Sequence, residues 1–336
     1  MNKEKTSFNL KFFTRDANFV RLFIVFVVVF IACSALKGSQ FLNVGNFESM
    51  VKQFPEYGLL AVAIALALLI GGIDLSAVYI ANLSSIIAGR FLIAMTGEGA
   101  SEGSIYSMIF VSFLVAVVIG VLAGALNGYL IAGFGIPAML ATLGTQSLFW
   151  GFGVVLTGGS SMSGFPAQLA GVVNGSVGFL PVTVLIFIVA CVVVGLIVSR
   201  TVLGRQMKMY GTNNKATTYA GLNNMKLVIT THVIAGVLAA LSGIIMWGRY
   251  SSCRADNGSA YTMQAILIAV MGGVSPNGGK GNVQGVVLAV LIIQMVSSLL
   301  NMFNNIPSAC RQIIWGGLLL AVMIFNYVVD SRLKRH

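Results

Sequence analysis

Charged residues are scarce in this sequence. Only 9% of its 336 residues are charged and 57% are hydrophobic, whereas a typical soluble domain has about 25% charged residues. Too few polar side chains exist to cover a water-exposed surface, so a soluble globular fold is excluded. The alternating ten-residue segments of a membrane β-barrel are also missing, and apolar runs of about twenty residues recur instead. The sequence therefore predicts an all-α polytopic membrane protein.

Residues that build catalytic and metal sites are equally few. The chain has two histidines, His232 and His336, and four cysteines without a CxxC pair. No Ser–His–Asp or Cys–His set, and no ligand cluster with zinc spacing, can be assembled from them. We therefore expect no enzymatic activity of the chain itself, no metal and no bound cofactor. Cys253 and Cys310 fall in predicted external loops, which leaves a disulfide between them open.

Ten hydrophobic segments are predicted to cross the membrane. They are residues 20–36, 54–70, 75–95, 105–132, 137–157, 179–199, 227–247, 261–271, 283–303 and 312–329. The transmembrane domain then covers residues 20–329, between a cytoplasmic segment, 1–19, and a cytoplasmic tail, 330–336. Polar loops are expected at 37–53 and 158–178. Most of the 20 lysines and arginines fall on one side if both termini lie inside, which favours that orientation.

The longest polar interval, residues 200–226, is strongly basic. It contains five lysines and arginines and no acid, so we expect it in the cytoplasm. Its middle predicts a short helix that Thr212 or Asn213 caps and Gly221 ends. Composition alone allows two interpretations: a plain connecting loop, or a handle for a partner protein. The net charge of +11 follows from this topology, and no nucleic-acid partner is expected.

Asp74 is the only acid that these segments place near membrane depth. We expect it to cap a helix beginning at Leu75, where free N–H groups lower the cost of the charge. A single carboxylate without a histidine partner argues against an ion-coupled pump. Three glycines spaced four apart, Gly120, Gly124 and Gly128, predict a close approach to a second helix.

Amide and hydroxyl side chains on several segments are candidates for a sugar pathway, and Trp150 supplies an aromatic wall. The alternative for each is a hydrogen bond between helices. The candidates are Asn82, Asn127, Thr145, Gln146, Trp150, Gln264 and Asn301.

Residues 272–281, GGVSPNGGKG, invite comparison with a phosphate-binding loop. The Walker A pattern G-x-x-x-x-G-K-[ST] fails twice, because Val274 replaces its first glycine and Gly281 follows Lys280. A tight turn is therefore expected, and the chain cannot hydrolyse ATP alone.

Five stretches together resemble the permease subunits of ribose-, xylose- and galactose-class ATP-binding-cassette (ABC) importers. LIGGIDLS at 69–76 is similar to that family's GGIDLS, and IPAMLATLG at 136–144 is similar to its IPxxxxTLG. GRQMKMYGTNNKATTYAGL at 204–222 resembles GRxxxAxGxNxxAAxxSGI. AALSGI at 239–244 and the region 261–281 match two further motifs. The resemblance covers residues 55–330.

The resemblance implies a permease that pairs with a second copy or a paralogue in the lipid bilayer of the prokaryotic plasma membrane. It would dock cytoplasmic ABC ATPase subunits, which use ATP and Mg, and receive solute from an extracytoplasmic binding protein. The ATPase-coupling segment would then lie in the basic loop, at Gly211, Asn213, Lys215, Ala216, Tyr219, Ala220 and Gly221. Turn or gating residues would be Gly71, Gly72, Asp74, Gly272, Gly273, Gly278 and Gly279.

The leading hypothesis is a permease for a monosaccharide or a related small solute. Nucleoside and branched-chain amino-acid permeases share the late glycine-rich region and are the alternatives within this superfamily. A stand-alone secondary transporter and a membrane scaffold are hypotheses from other classes. The shortage of charge inside the predicted spans argues against the secondary transporter.

Overall fold

Helices make up most of the chain. The computed structural model describes residues 17–96, 101–303 and 313–324. A short hairpin pairs β1 (Ser176–Val177) with β2 (Leu180–Pro181) in antiparallel register. The helices are α1 (Ala17–Phe41), α2 (Val44–Leu69), α3 (Ala77–Met95), α4 (Glu102–Ala132), α5 (Ala138–Thr157), α6 (Ala167–Asn174), α7 (Val182–Arg200), α8 (Val202–Thr212), α9 (Asn214–Tyr219), α10 (Asn224–Tyr250), α11 (Tyr261–Met271), α12 (Val283–Asn301) and α13 (Ile313–Ile324).

Each predicted membrane segment coincides with a helix. Within the described residues, eight helices are long and apolar enough to cross a membrane: α1 to α5, α7, α10 and α12. The shorter apolar helices α11 and α13 match the eighth and tenth predicted segments. Residues 312 and 325–329 of the tenth lie outside the described part. The all-α polytopic class is therefore confirmed, while the orientation remains a prediction from charge.

Helix α2 forms the centre of the bundle. From Phe54 to Leu69 its side chains are buried on every face, because α7, α10, α11 and α12 all pack against it. In contrast, α1, α4, α5 and α7 expose large apolar side chains such as Ile31, Phe110 and Val155. An apolar surface of this kind suits hydrocarbon, and it identifies these helices as the lipid-facing or partner-facing rim.

The glycine stripe of α4 packs directly on α10. A Cβ added to Gly124 would lie 2.9 Å from the carbonyl carbon of His232, and one added to Gly120 would lie 3.1 Å from that of Gly236. Gly128 meets the backbone of Ile229 in the same way. The predicted close helix approach is thus confirmed, and its partner is α10.

Two predicted loops are partly helical. Most of the loop expected at 37–53 is helical. Helix α1 continues to Phe41 past a kink where Lys37 has a non-helical backbone, and α2 begins at Val44. Asn43 starts α2 early by accepting a hydrogen bond from the Gly45 N–H at 2.9 Å. The polar loop at 158–178 contains α6 and strand β1. Hydrophobicity locates membrane-crossing residues, whereas polar helical turns depend on caps and packing.

Cys253 is a free, buried thiol. It lies between α10 and α11, where its backbone pairs with Met162 through two hydrogen bonds of 2.9 Å. Its Sγ donates to the carbonyl of Ser85 at 3.5 Å. Burial raises the pKa of this thiol to about 12. Cys310 lies outside the described residues, so the disulfide between the two cysteines stays an open prediction.

Candidate functional site

The basic loop folds into two consecutive helices, α8 and α9. Thr201 caps α8 by accepting from the Gly204 N–H at 3.3 Å. Asn213 caps α9, since its Oδ1 accepts from the N–H groups of Lys215 and Ala216 at 3.1 and 3.0 Å. Gly221 follows the end of α9 with φ of +75°, a conformation that favours glycine. The predicted short helix, its Asn213 cap and its glycine stop are confirmed.

Helix α9 presents one outward face. Six of the seven predicted coupling residues are exposed: Asn213, Lys215, Ala216, Tyr219, Ala220 and Gly221. Tyr219 is 91% exposed, which is unusual for a large aromatic side chain. The seventh residue, Gly211, is half-buried and points the other way, into the bundle. The arrangement offers a surface for a partner, with Gly211 behind it.

Behind that face, four glycines meet in what we call the glycine junction: Gly71, Gly211, Gly278 and Gly279. A Cβ on Gly211 would clash with the Leu69 carbonyl and the Gly279 N–H. A Cβ on Gly278 would lie 2.8 Å from the Gly71 nitrogen. The Gly279 N–H donates to the Leu69 carbonyl at 2.9 Å. The end of α2, the end of α8 and the turn between α11 and α12 therefore touch backbone to backbone.

The other turn glycines join neighbouring elements to this junction. Gly72 lies against the start of α5, where its Cβ would be 2.8 Å from that of Ala138. Thr142 of α5 donates its hydroxyl to the Ile73 carbonyl at 2.9 Å. A Cβ added to Gly272 would lie 2.7 Å from the Val286 Cα of α12, and Gly273 has φ of +88° in the tight turn. Stretches far apart in sequence thus converge on one place.

Asp74 is bonded differently from the predicted helix cap. Helix α3 begins at Ala77, and Asp74 Oδ1 accepts from the backbone N–H and hydroxyl of Ser76 at 2.8 and 2.7 Å. Its other oxygen lies 3.7 Å from His232 Nδ1. Both side chains are buried. Asp74 therefore has a histidine partner, His232. The lack of such a partner was one reason to expect no ion-coupled pump, and that reason does not hold.

A cavity of about 640 Å³ opens between the glycine junction and α10. His232 lines it, and neither ring nitrogen of this buried side chain has a hydrogen-bond partner among the described residues. The remaining wall combines glycines and asparagines with apolar residues such as Ile70, Ile131 and Val228. It includes Gly71, Gly72, Ile136, Pro137, Ala138, Tyr210, Gly211, Thr212, Asn213, Asn214, Asn224 and Asn277.

The proposed pathway residues do not share one surface. Asn82 on α3 donates to the carbonyls of Ala255 and Asn257 at 3.0 and 2.8 Å. Asn127 on α4 donates to the Ser76 hydroxyl at 2.7 Å. Both amides are buried and donate hydrogen bonds to other parts of the chain. This agrees with the alternative to a sugar pathway, in which these side chains hold the fold together.

The other five candidates are dispersed as well. Thr145 is buried and donates to the carbonyl of Thr142 within α5. Gln146 and Trp150 lie on the outer part of that helix, and Trp150 is 46% exposed. Gln264 is buried in α11, and Asn301 is exposed at the end of α12. Their role in a solute pathway remains a prediction.

The structure contains a buried polar cluster that was not predicted from the sequence. Glu56 in α2 is fully buried and lies 2.8 Å from the Arg249 guanidinium at the end of α10. The hydroxyls of Tyr250 and Tyr261 donate to the same carboxylate at 3.1 and 2.6 Å. The view that Asp74 is the only acid at membrane depth is therefore wrong. Glu56 lies inside the second predicted membrane segment, 54–70, and that position alone indicates a carboxylate at membrane depth.

These features define a class. The chain is a multi-pass helical membrane protein in which the exposed helix α9 follows α8, and the end of α8 touches the central helix α2 backbone to backbone. A family model described as "Branched-chain amino acid transport system / permease component" matches residues 46–323. The chain belongs to this permease family, which confirms the resemblance to ABC importer permeases and a location in the bacterial inner membrane.

Similar proteins support this assignment over almost the whole length. The ribose import permease protein of Haemophilus influenzae is 31% identical, with 99% of this chain and 100% of that protein covered. The D-allose transport system permease protein of Escherichia coli is 27% identical, with coverage of 98% and 96%. The autoinducer 2 import system permease protein of Yersinia enterocolitica is 27% identical, covering 89% and 88%. No solved structure matches the chain.

Proposed function

We propose that this chain forms the membrane passage of an ATP-driven importer for a monosaccharide or a related small solute. The similar proteins act on ribose, D-allose and autoinducer 2 by their names. The observation that carries the mechanism is the glycine junction. It connects the end of α8, directly before the exposed α9 face, to α2 and to the turn between α11 and α12 without intervening side chains.

ATPase subunits bound to α9 supply the motion in this proposal. Nucleotide binding would bring the ATPases together and displace α8 and α9. Because Gly211 contacts the Leu69 carbonyl and the Gly279 N–H directly, no flexible side chain absorbs the displacement. The end of α2 and the turn before α12 therefore move with α8, and the helices around α2 reorient between outward-open and inward-open states.

Transport by the assembled complex tests this function. The chain is purified from native membranes with the ATPase and binding protein that accompany it, and reconstituted in liposomes containing ATP. We expect uptake of labelled ribose or allose that requires both partners. If the chain alone moves solute without ATP, it is a secondary transporter and the proposal fails.

A branched-chain amino acid is the second candidate solute, because the matching family model is described by that substrate. The same liposomes are therefore supplied with labelled leucine. Saturable, ATP-dependent leucine uptake without sugar uptake would show that the solute is an amino acid. The proposed importer mechanism would still hold.

Docking through α9 has its own test in Gly221→Val. Gly221 has φ of +75° and no atom within 4 Å of an added Cβ, so valine strains the end of α9 without disturbing core packing. We expect insertion to be retained and ATP-dependent uptake to be lost. Gly178→Val is the matched control, because Gly178 has φ of +65° and equally open surroundings in the β-hairpin. Equal uptake by the two variants would contradict docking at α9.

A further inference from the structure

We propose that a second cavity, beside the glycine junction, binds the headgroup of an anionic phospholipid from the cytoplasmic leaflet. The cavity has a volume of about 430 Å³. It lies where the first turns of α1, the end of α7, helix α8 and the turn before α12 come together. The residues that line it include Leu22, Ser199, Lys208, Gly279, Lys280 and Gly281.

The charge of this cavity suits a phosphate group. Lys208 and Lys280 approach it from two different elements, and none of the described residues that line it is an acid. Neither lysine has an acidic partner within the part of the chain that the structure describes. Two unpaired ammonium groups around one space attract an anion, and basic pockets of this kind between membrane helices bind anionic lipid headgroups.

Backbone donors add to the two lysines. Five glycines line the cavity, so a ligand can approach the main chain closely. The Lys280 carbonyl is occupied by the Ser275 N–H at 2.9 Å. In the described chain, the N–H groups of Lys280 and Gly281 have no such acceptor. They can donate to phosphate oxygens, as successive N–H groups of glycine-rich turns commonly do.

The surroundings favour a lipid over a soluble anion. Leu22 packs against Leu288 and Ile292 of α12, which closes the apolar side of the cavity. Further along α1, Phe23 and Ile24 are exposed, and Leu196 of α7 is exposed three residues before the lining residue Ser199. Acyl chains can therefore run between α1 and α7 while the headgroup remains at the lysines. The positive-inside rule assigns this end of the helices to the cytoplasmic leaflet, where anionic lipids are concentrated.

Binding here would affect the glycine junction. Lys280 directly follows Gly279, whose N–H bonds to the end of α2, and Lys208 precedes Gly211 by three residues on α8. A lipid phosphate held by both lysines would bridge α8 to the turn before α12. This inference does not depend on the transported solute, because it concerns the membrane that surrounds the permease.

Lipid titration of the purified, delipidated chain, followed by native mass spectrometry, tests the site. The probes are phosphatidylglycerol, phosphatidylcholine and soluble glycerol 3-phosphate. We expect one phosphatidylglycerol per chain to bind in preference to both others. Lys208→Gln with Lys280→Gln should weaken that binding about twenty-five-fold, because each basic residue near a charged membrane contributes about fivefold.

Two further variants distinguish binding in this cavity from non-specific attraction of anionic lipid to positive charge. Lys226→Gln removes the same charge from the exposed start of α10, outside the cavity, and should leave binding unchanged. Ser199→Trp keeps the charge but fills the cavity from the end of α7, and it should reduce binding as the lysine pair does. The proposal is overturned if the lysine pair and Lys226→Gln behave alike, if Ser199→Trp binds like the unmodified chain, or if phosphatidylcholine or glycerol 3-phosphate binds as tightly as phosphatidylglycerol.

Discussion

Glu56 holds a negative charge inside the helix bundle, and Arg249 neutralises it. Removing one member of such a pair leaves the other charge buried without compensation. We expect Glu56→Gln to lower the free energy of unfolding by about 3 kcal/mol. Denaturation with sodium dodecyl sulfate in mixed micelles measures this change.

Tyr250→Phe is the matched control for that substitution. It removes one hydrogen bond to the same carboxylate, and the expected loss is about 1 kcal/mol. Equal losses for the two variants would show that the carboxylate does not depend on its charge partner. The hydroxyl of Tyr261 remains bound to Glu56 in the control.

Cys253 permits a residue-scale test outside the membrane-spanning helices. Only the thiolate reacts with maleimides, and burial raises the pKa of Cys253 from 9.0 to about 12. In intact membranes at pH 9, the folded chain should therefore leave Cys253 unlabelled, whereas the denatured chain is labelled readily. Complete labelling of the folded chain at that pH would refute the buried position.

Lys215→Cys supplies the positive control for labelling. Lys215 is exposed on α9, so its replacement should react from the cytoplasmic side only. Reaction from the external side would overturn the predicted orientation.

At the scale of elements, α4 and α10 depend on glycine for their contact. Gly124→Ala places a methyl group against the His232 carbonyl, which forces the helix backbones apart. We expect a loss of about 2 kcal/mol, within the range for overpacked sites. Unfolding in detergent measures the loss.

Gly144→Ala serves as the comparison in α5, because nothing lies within 4 Å of an added Cβ there. Alanine has the higher helix propensity, so stability should stay equal or rise slightly. If both alanine variants are stable, the close helix contact is not required.

For the whole molecule, the glycine junction predicts separation of ATP hydrolysis from transport. Gly211→Ala pushes α8 away from the Leu69 carbonyl and from Gly279. In the reconstituted complex, we expect ATP hydrolysis to persist while uptake per ATP falls about tenfold, a loss within the usual range of coupling free energies.

Gly151→Ala in α5 has open space around the new methyl group and should keep normal uptake per ATP. A Gly211→Ala variant that inserts normally and keeps its full coupling would exclude the junction as the connection between α9 and α2. Surface labelling of both variants establishes insertion independently of transport.

Membrane segments and helix ends were predictable because they depend on interactions between residues close together in the sequence. Runs of apolar residues identified all ten segments, and Asn213 and Gly221 marked the ends of α9 through their own hydrogen bonding and backbone freedom. The two Gly-Gly breaks were recognised as turns for the same reason. Glu56 was overlooked because hydropathy averages over a window, and one carboxylate hardly changes the mean.

The sequence by itself determined the class of protein, its helices and the motifs that link it to permeases. Only the tertiary structure decided which of those motifs touch. Gly71, Gly211 and Gly278 are separated by many residues, and no local pattern indicates that their backbones meet. Likewise, only folding pairs Asp74 with His232 and Glu56 with Arg249. Periodicity and capping act within a few turns of chain, whereas these contacts depend on how α2, α8 and α10 cross.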